Sequence, residues 1–368
     1  MKSKKAAILL SRQPLHPNGN AGWVRQVIKA VQWVRDHDLT LVTSIGLQTW
    51  ELITTFGAEL DLRQEILIPA ANESDFARLQ SWTLEQFTFD QTRTRIRPVI
   101  LSEGGEVTNL SVQRDRAVVD TADTLVPISV RSGGNMSRLI SEGYSAGKEI
   151  MSSMQIVYQR RSSRLKYKII HDHLNSELDR FGRKYLVHWT RSSNGPWPDE
   201  RVVDYWRAVV DSKTHPRSAF DTLQHIVSTR KIIASPRHMP GGVATVSMTG
   251  LDPEKALALM RWRARYHEMS FEPYGLAIDR DFALAHGVVP VVYYEKKSSQ
   301  SEARENAWQF QSRGHKTDWR VEEEFRCRGD FDLSGIPPDK LLAICYRPDE
   351  STRLESTSGI RTISILAR

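Results

Sequence analysis

The sequence predicts an α/β N-terminal half, a doubly wound parallel sheet of Rossmann-like type, joined to an α+β C-terminal half. Three observations carry this reading. Short apolar runs alternate with helix-length amphipathic segments through the first half. After residue 184 strands and helices follow one another without strict alternation. Between them lies a basic and then helical stretch, and the shift in composition marks a boundary. The expected division is 1–165, a linker 166–183, and 184–368, and 368 residues suffice for two domains.

In order, Ala6–Ser11 reads as a buried strand, followed by a turn-rich loop, Gln13 to Gly22. Trp23, Val27, Ala30, Val31 and Val34 recur at helical spacing. Leu39–Ser44 is a second strand, with a helix through Trp50, Leu52, Ile53 and Phe56 after Gly46. Glu65–Pro69, Arg95–Leu101 and Asp123–Val130 are further strands, separated by helices over Asn72–Phe87 and Gln113–Thr121. Met136–Ser141 is helical and Ile156–Gln159 a last strand. Strands joined by helical crossovers pair in parallel, and ligands of such sheets bind beyond the carboxyl ends of the strands. The loops concerned are Ser11–Gly22, Ser44–Gly46 and Arg131–Asn135. In the last, Gly133 and Gly134 let backbone approach a phosphate, and a helix start offers free N–H groups. The same glycines equally serve a plain strand-to-helix turn.

Hydrophobic residues make up 40% of the chain and charged ones 26%, ordinary for packed cores. No run approaches the roughly 18–20 apolar residues of a membrane helix. The basic start is followed by only five apolar residues, Ala6–Leu10. That is shorter than a secretory core of roughly 7–15 residues, so a first strand and a cytoplasmic protein are expected. Two cysteines, Cys327 and Cys345, are too few for a metal knuckle, and no metal is expected. The net charge of +7 admits nucleic acid or anionic nucleotides as partners, and equally a mildly basic enzyme surface.

Gln113-Arg-Asp-Arg116, Ala122-Asp123 and Val126 through Arg131-Ser132-Gly133-Gly134 together resemble the second half of SLOG/DprA-like Rossmannoid domains. The resemblance implies a nucleotide-binding or nucleotide-sensing domain. Its ligand residues would be Ser44, Gly46, Arg131, Ser132, Gly133, Gly134 and Asn135. The glycine-rich turn expected after the second strand is reduced here to Ser44-Ile45-Gly46.

In the hinge, Arg160 to Lys168 is basic and Ile169–Phe181 reads as a helix. His171 and His173, two apart on a helix, would point away from each other. In the second half Tyr185–Thr190 reads as a strand, Val202–Val210 and Ala219–Ser228 as helices, and Lys231–Ser235 and Val243–Thr249 as strands. Asp252–Ala264 is a helix opened by Asp252-Pro253. Tyr274–Ile278, Val288–Tyr294, Trp319–Arg326 and Leu341–Cys345 are strands, with Arg280–Ala285 helical. If Trp319–Arg326 is a strand, Arg320, Glu322, Glu324 and Arg326 share a face. Trp319, Val321, Glu323 and Phe325 take the other. Two carboxylates on one face repel, which raises the pKa of one.

The order His188-x-Thr190, Leu223-x-x-Ile226, Ile233-Ala-Ser235, Ser247-x-Thr249, Trp262, Tyr266, Tyr274-Gly275, Val291-x-Tyr293 and Trp319-x-x-Glu322-x-Glu324-Phe-Arg326 resembles AbiGi-type abortive-infection domains. More distantly it is similar to DarT-like ADP-ribosyltransferases. The resemblance spans about residues 184–345, and residues 191–217 are an insertion in it. It implies NAD as substrate and Glu324, with Glu322 and His188, as catalytic residues. His188 and Thr190 would hold the adenosine ribose side, and Tyr266 or Tyr274 would stack near nicotinamide. The chemistry is coherent: breaking the nicotinamide–ribose bond builds positive charge on the ribose, which a fixed carboxylate stabilises.

The expected function is a phage-defence-type effector that transfers ADP-ribose to a macromolecule, with nucleic acid a candidate acceptor. The first domain would respond to a nucleotide. A homo-oligomer is compatible with the sequence. The alternatives are a non-catalytic nucleotide-binding regulator, separated by whether His188, a tyrosine and Glu324 share one cleft, and a nucleotide hydrolase of the first domain. The latter needs a carboxylate beside Arg131–Asn135, for which Glu142 and Asp115 are candidates.

Overall fold

The structure, a computed structural model, describes residues 3–100, 109–159, 165–237, 239–264, 266–294, 304–312 and 318–367. The chain forms two compact units. One comprises 1–163 with 194–216, the other 164–193 with 217–368. Leu101 and the basic residues Arg160 to Arg164 lie outside the described residues.

The first unit runs β1 (Lys5–Leu9), α1 (Gly22–Asp36), β2 (Thr40–Ser44), α2 (Gln48–Glu59), β3 (Gln64–Ala70) and α3 (Glu73–Gln86). It continues through β4 (Thr94–Ile100), α4 (Leu110–Thr121), β5 (Thr124–Pro127), α5 (Asn135–Ser145) and β6 (Glu149–Ile150). The six strands form one parallel sheet in the order β4-β3-β2-β1-β5-β6. Central strands covered on both faces favour runs of apolar residues. Ala6 to Leu9 are accordingly all fully buried. α1 lays Trp23, Val24, Val27, Ala30, Val31 and Val34 into the same core. The doubly wound parallel sheet is as the sequence implies, with its sixth strand moved. Glu149–Ile150 pairs with β5, while Ile156 makes a single backbone bond to the Ile128 carbonyl at 2.7 Å instead of starting a strand.

The segment 194–216 adds α6 (Val202–Asp211) to this unit. Its Tyr205 and Trp206 are fully buried, and Trp206 meets Trp23 edge-to-face at 6.1 Å. Gly19 donates its N–H to the Ser212 carbonyl at 2.8 Å. A β-carbon at Gly19 would lie 2.0 Å from the Val210 carbonyl oxygen, so only glycine permits this approach. The residues read as an insertion in the second domain thus complete the core of the first.

The second unit builds a mixed sheet from β7 (Tyr185–Trp189), β9 (Thr245–Thr249), β12 (Gly275–Asp279), β13 (Val289–Pro290), β16 (Glu324–Arg328), β18 (Leu341–Cys345) and β19 (Thr362–Ser364). Between these lie α7 (Ala219–Thr229), β8 (Lys231–Ile232), α8 (Pro253–Ala258), β10 (Trp262–Arg263), β11 (Glu268–Met269), α9 (Arg280–Ala285), β14 (Val292–Tyr294), β15 (Phe310–Ser312), β17 (Phe331–Asp332) and α10 (Pro348–Ser358). The order is β13-β16-β9-β7-β12-β18-β19, antiparallel except β18 with β19. α7, α9 and α10 pack on one face with Leu186, Leu276, Met248 and Phe325. Val187, Ala277, Leu342 and Leu257 of α8 pack on the other.

Four sequence expectations change here. Ile169–Phe181 is not a helix but part of a series of short 3-10 turns. Its backbone bonds go elsewhere: Asn175 N–H to the Ile365 carbonyl, and Ala367 N–H to the His173 carbonyl, both 2.9 Å. The helix at Asp252 ends at Ala258, because Trp262↔Met269 and Arg263↔Glu268 pair as a hairpin. Val288–Tyr294 divides between two sheets, at β13 and β14. Trp319–Glu322 is a 3-10 turn that exits through Glu323 in the left-handed region, φ 41°, and β16 starts only at Glu324. α10 and β19 carry the fold past the last strand read from the sequence.

Trp206→Ala should lower the stability of the first unit by roughly 3–5 kcal/mol, the cost of truncating a buried Trp. Hydrogen exchange on the full chain should show faster exchange in β1 and α1. Unchanged protection there would contradict the placement of 194–216 in that core.

Candidate functional site

β9 and β16 position the central group. Their antiparallel register pairs Thr249 with Glu324 and Ser247 with Arg326, so these four side chains share one face. Val187 pairs with Thr249 and joins that face. Ser247 Oγ donates to Glu324 Oε1 at 2.9 Å. Arg326, 2% exposed, forks onto the same carboxylate, Nε to Oε1 at 2.8 Å and Nη2 to Oε2 at 2.9 Å. Two further donors reach the Trp308 carbonyl and Gln311 Oε1 at 2.9 and 3.0 Å. A carboxylate offers about four acceptor positions, so three donors leave about one on Glu324, at Oε2.

Glu322 arrives in the same cleft from the turn before β16. Thr249 Oγ1 donates to its carbonyl at 2.5 Å and fixes that turn. Burial, and then the Glu324 charge, push the Glu322 carboxyl pKa up. Arg261, Arg263 and Arg326 oppose the shift. The cleft encloses about 210 Å³ and is lined by Val187, Trp189, Ser247, Thr249, Arg261, Arg263, Phe271, Glu322 and Glu324 among others. Trp189 and Phe271 stack at 5.5 Å between ring centroids. Glu323 is exposed and outside the cleft.

The other sequence-designated residues of this unit lie elsewhere. His188 pairs in register with Leu276, whose side chain belongs to the α7 face, so it projects from the sheet side opposite Glu324. Its Nδ1 meets the Ser247 carbonyl at 2.8 Å. Burial, with help from the Arg191 charge, lowers its pKa. Thr190 is buried and donates to the Ala219 or Tyr274 carbonyl, at 2.9 and 3.2 Å. Tyr274 packs among Phe220, Tyr167 and Tyr346, with its hydroxyl on Glu350 at 2.9 Å. Tyr266 stands under the Arg263 guanidinium, 4.6 Å from ring centroid to Cζ. It is therefore the designated tyrosine nearest the cleft wall, in a turn and not on a helix.

Three contributors went unassigned in the sequence reading. Ser247, Tyr293 and Arg326 stand in the motif order of the sequence without a role there. The Tyr293 hydroxyl is buried beside Glu324. Burial, then the Glu324 and Glu322 charges, push its pKa up to about 12. Period-two patterning shows which side chains share a face, but not which ones bond across strands.

In the first unit the nucleotide residues are partly committed. Ser44 Oγ donates to the Leu67 carbonyl at 2.6 Å inside the sheet. Gly46 and Gly133 adopt φ of 82° and 68°. Arg131 and Ser132 are exposed, Gly134 caps α5, and Asn135 Oδ1 accepts from Arg138 at 2.8 Å. The Arg131 N–H is bonded to Ser11 Oγ at 2.9 Å. Glu142 is paired with Arg116 and Arg138. Asp115 is paired with Arg114.

Replacing Arg326 with Met should leave the Glu324 carboxylate without its fork, and cost roughly 3–5 kcal/mol. The double variant Arg326→Met/Glu324→Met should regain most of it. Urea unfolding of the four proteins measures the coupling, and additive losses would contradict a direct pair.

Because the Glu322 pKa is raised in the folded chain, its proton is held more tightly there than in the unfolded chain. Its contribution is full below the unfolded carboxylate range and is lost as pH rises through the raised value. The melting temperature of Glu322→Gln relative to wild type should therefore be higher at about pH 8 than at about pH 4.

Among the described residues, no group of three or more His, Cys, Asp or Glu is arranged to hold a metal ion. No helix there is long and apolar enough to cross a membrane. No family model matches the chain, and no curated protein matches it. Among solved structures, it is similar to DNA processing protein A from Streptococcus pneumoniae, with 12% identity and a TM-score of 0.31, over 40% of this chain and 50% of that one. It is also similar to DNA processing protein A from Helicobacter pylori, a single-stranded DNA binder, with 13% identity and a TM-score of 0.29, over 43% of this chain and 66% of that one. These values identify no family for the chain.

Proposed function

We propose that the second unit is an ADP-ribosyltransferase-like effector that cleaves the nicotinamide–ribose bond of NAD and passes ADP-ribose to a macromolecular acceptor. The carrying observation is the pair Glu322 and Glu324, two carboxylates of unequal environment in one cleft. Glu324 is fixed by Arg326 and Ser247, with about one acceptor position to spare. It suits a stationary carboxylate that accepts a ribose hydroxyl and stabilises the cationic ribose. Nicotinamide leaves with the electron pair of the bond. The acceptor oxygen then bonds to the ribose carbon, and its proton passes to Glu322, whose raised pKa suits it to take up a proton. The sequence resemblance to abortive-infection domains supports an effector role, and the parallel sheet of the first unit supports a nucleotide-responsive partner domain.

One observation favours a second reading, a non-catalytic nucleotide-binding regulator. His188 and Tyr274 belong to the opposite side of the sheet from Glu324.

NAD turnover followed by mass spectrometry separates the two. Wild type should release nicotinamide, and Glu324→Gln should reduce the rate by roughly 10²–10³. Absence of turnover by wild type, across a panel of nucleotides offered to the first unit, would favour the regulator.

A further inference from the structure

Glu272 is a buried acid of the second unit that the proposed chemistry does not use. It is 1% exposed and lies in the segment between β11 and β12. Its carboxylate accepts the Tyr167 hydroxyl, the Ser192 N–H at 2.5 Å and Ser192 Oγ at 3.1 Å. These three donors are neutral, with the Arg191 charge within electrostatic reach. The Glu272 N–H donates to the Thr190 carbonyl at 2.9 Å. Glu272 thus pins the exit of β7 to the segment that leads into β12. Trp189 on β7 and Phe271, the residue before Glu272, are the stacked pair that lines the cleft. The contacts of this one residue therefore fasten both halves of that aromatic wall.

The donors to Glu272 share a second property. The chain passes between the two units at 163/164, 193/194 and 216/217. Tyr167 follows the first of these boundaries, and Ser192 precedes the second. Arg217 opens the return at the third, and its carbonyl accepts the Ser193 N–H at 2.8 Å. Within the second unit, all three connections therefore end on Glu272 or on the residue beside its Ser192. Burial and the Glu272 charge raise the Tyr167 pKa, so the phenol keeps its proton and donates. We propose that Glu272 is a positioning residue, through which the connections to the first unit set the Trp189–Phe271 wall of the cleft. Displacement of the first connection withdraws the phenol. A buried carboxylate short of a donor is destabilised, and its relief is to move toward water. Phe271 and Ser192 move with it, which carries the change along a continuous set of contacts into the cleft. The inference rests on the reading of this cleft as the functional site, and holds whichever ligand the cleft takes.

The test is fluorine NMR of the full chain labelled with fluorotryptophan. The Trp189 resonance is assigned by its loss in Trp189→Phe, and the other tryptophan resonances report that each variant is folded. Tyr167→Phe should shift the Trp189 resonance, and so should Ser192→Ala, which takes another donor from the same carboxylate. Tyr346→Phe should leave it in place, because that hydroxyl bonds the Lys168 backbone and not Glu272. Gln48→Ala perturbs the first unit, where Gln48 Nε2 donates to the Asn194 carbonyl just past the second boundary. It should shift the resonance in the wild-type chain and not in Glu272→Gln. An unmoved resonance in both Tyr167→Phe and Ser192→Ala, or in Gln48→Ala, would overturn the proposal. So would an equal shift in Tyr346→Phe, or a Gln48→Ala shift that persists in Glu272→Gln. Where NAD turns over, Tyr167→Phe should raise its KM roughly 10-fold with kcat little changed, the scale of one lost hydrogen bond to a charged group. The expected shifts without NAD turnover would sustain the role of Glu272 and overturn the NAD chemistry. Glu324-dependent turnover with an unmoved Trp189 resonance would do the reverse.

Discussion

Two residues along β16, the Arg326 guanidinium turns back and forks onto the Glu324 carboxylate. Side chains two apart on a strand stand on one face, roughly 6–7 Å apart at their origins, which an arginine readily spans. Burial makes the contact more than local. An arginine 2% exposed needs partners for its donors, and this one reaches the Trp308 carbonyl and Gln311 as well. One guanidinium thereby holds the carboxylate, the residues just before β15, and β15 itself in register. The neighbouring Ser247 completes the set from β9. Glu322 stands just before this strand, its turn held by Thr249, and burial raises its pKa there.

Much of the first unit was legible because parallel strands buried on both faces read as unbroken apolar runs. Helices between them show their period through residues such as Trp23, Val27 and Val31. The role of 194–216 was not legible. Helical spacing in Val202–Asp211 announces a buried face, but says nothing about which core receives it. Tyr205 and Trp206 look the same from sequence whichever unit they fill.

The site was legible in its residues more than in its geometry. Glu322 and Glu324 do line one cleft, but not by the strand alternation that brought them together on paper. Glu323 takes a left-handed conformation and Glu322 reaches the cleft from a turn. His188 shows the opposite failure. It stands on a strand as expected, yet its side of the sheet depends on a register that only the paired Leu276 reveals. The donors to Glu272 come from two stretches that no local pattern connects.

The division of the first unit bears on the order in which the protein can be made. A ribosome delivers the chain from the amino end, at roughly 5–20 residues per second, and domains tend to fold as they emerge. Here the sheet of the first unit is fully synthesised long before α6, and about 30 residues of the second unit are made in between. Until α6 has been made, Trp23 has no Trp206 to meet, and the apolar surface that receives α6 is uncovered. The nascent first unit therefore passes through an interval with exposed apolar surface, the state that chaperones recognise. Its completion coincides with the start of the second unit's main sequence, so the maturation of the two is coupled in time by the path of the chain alone.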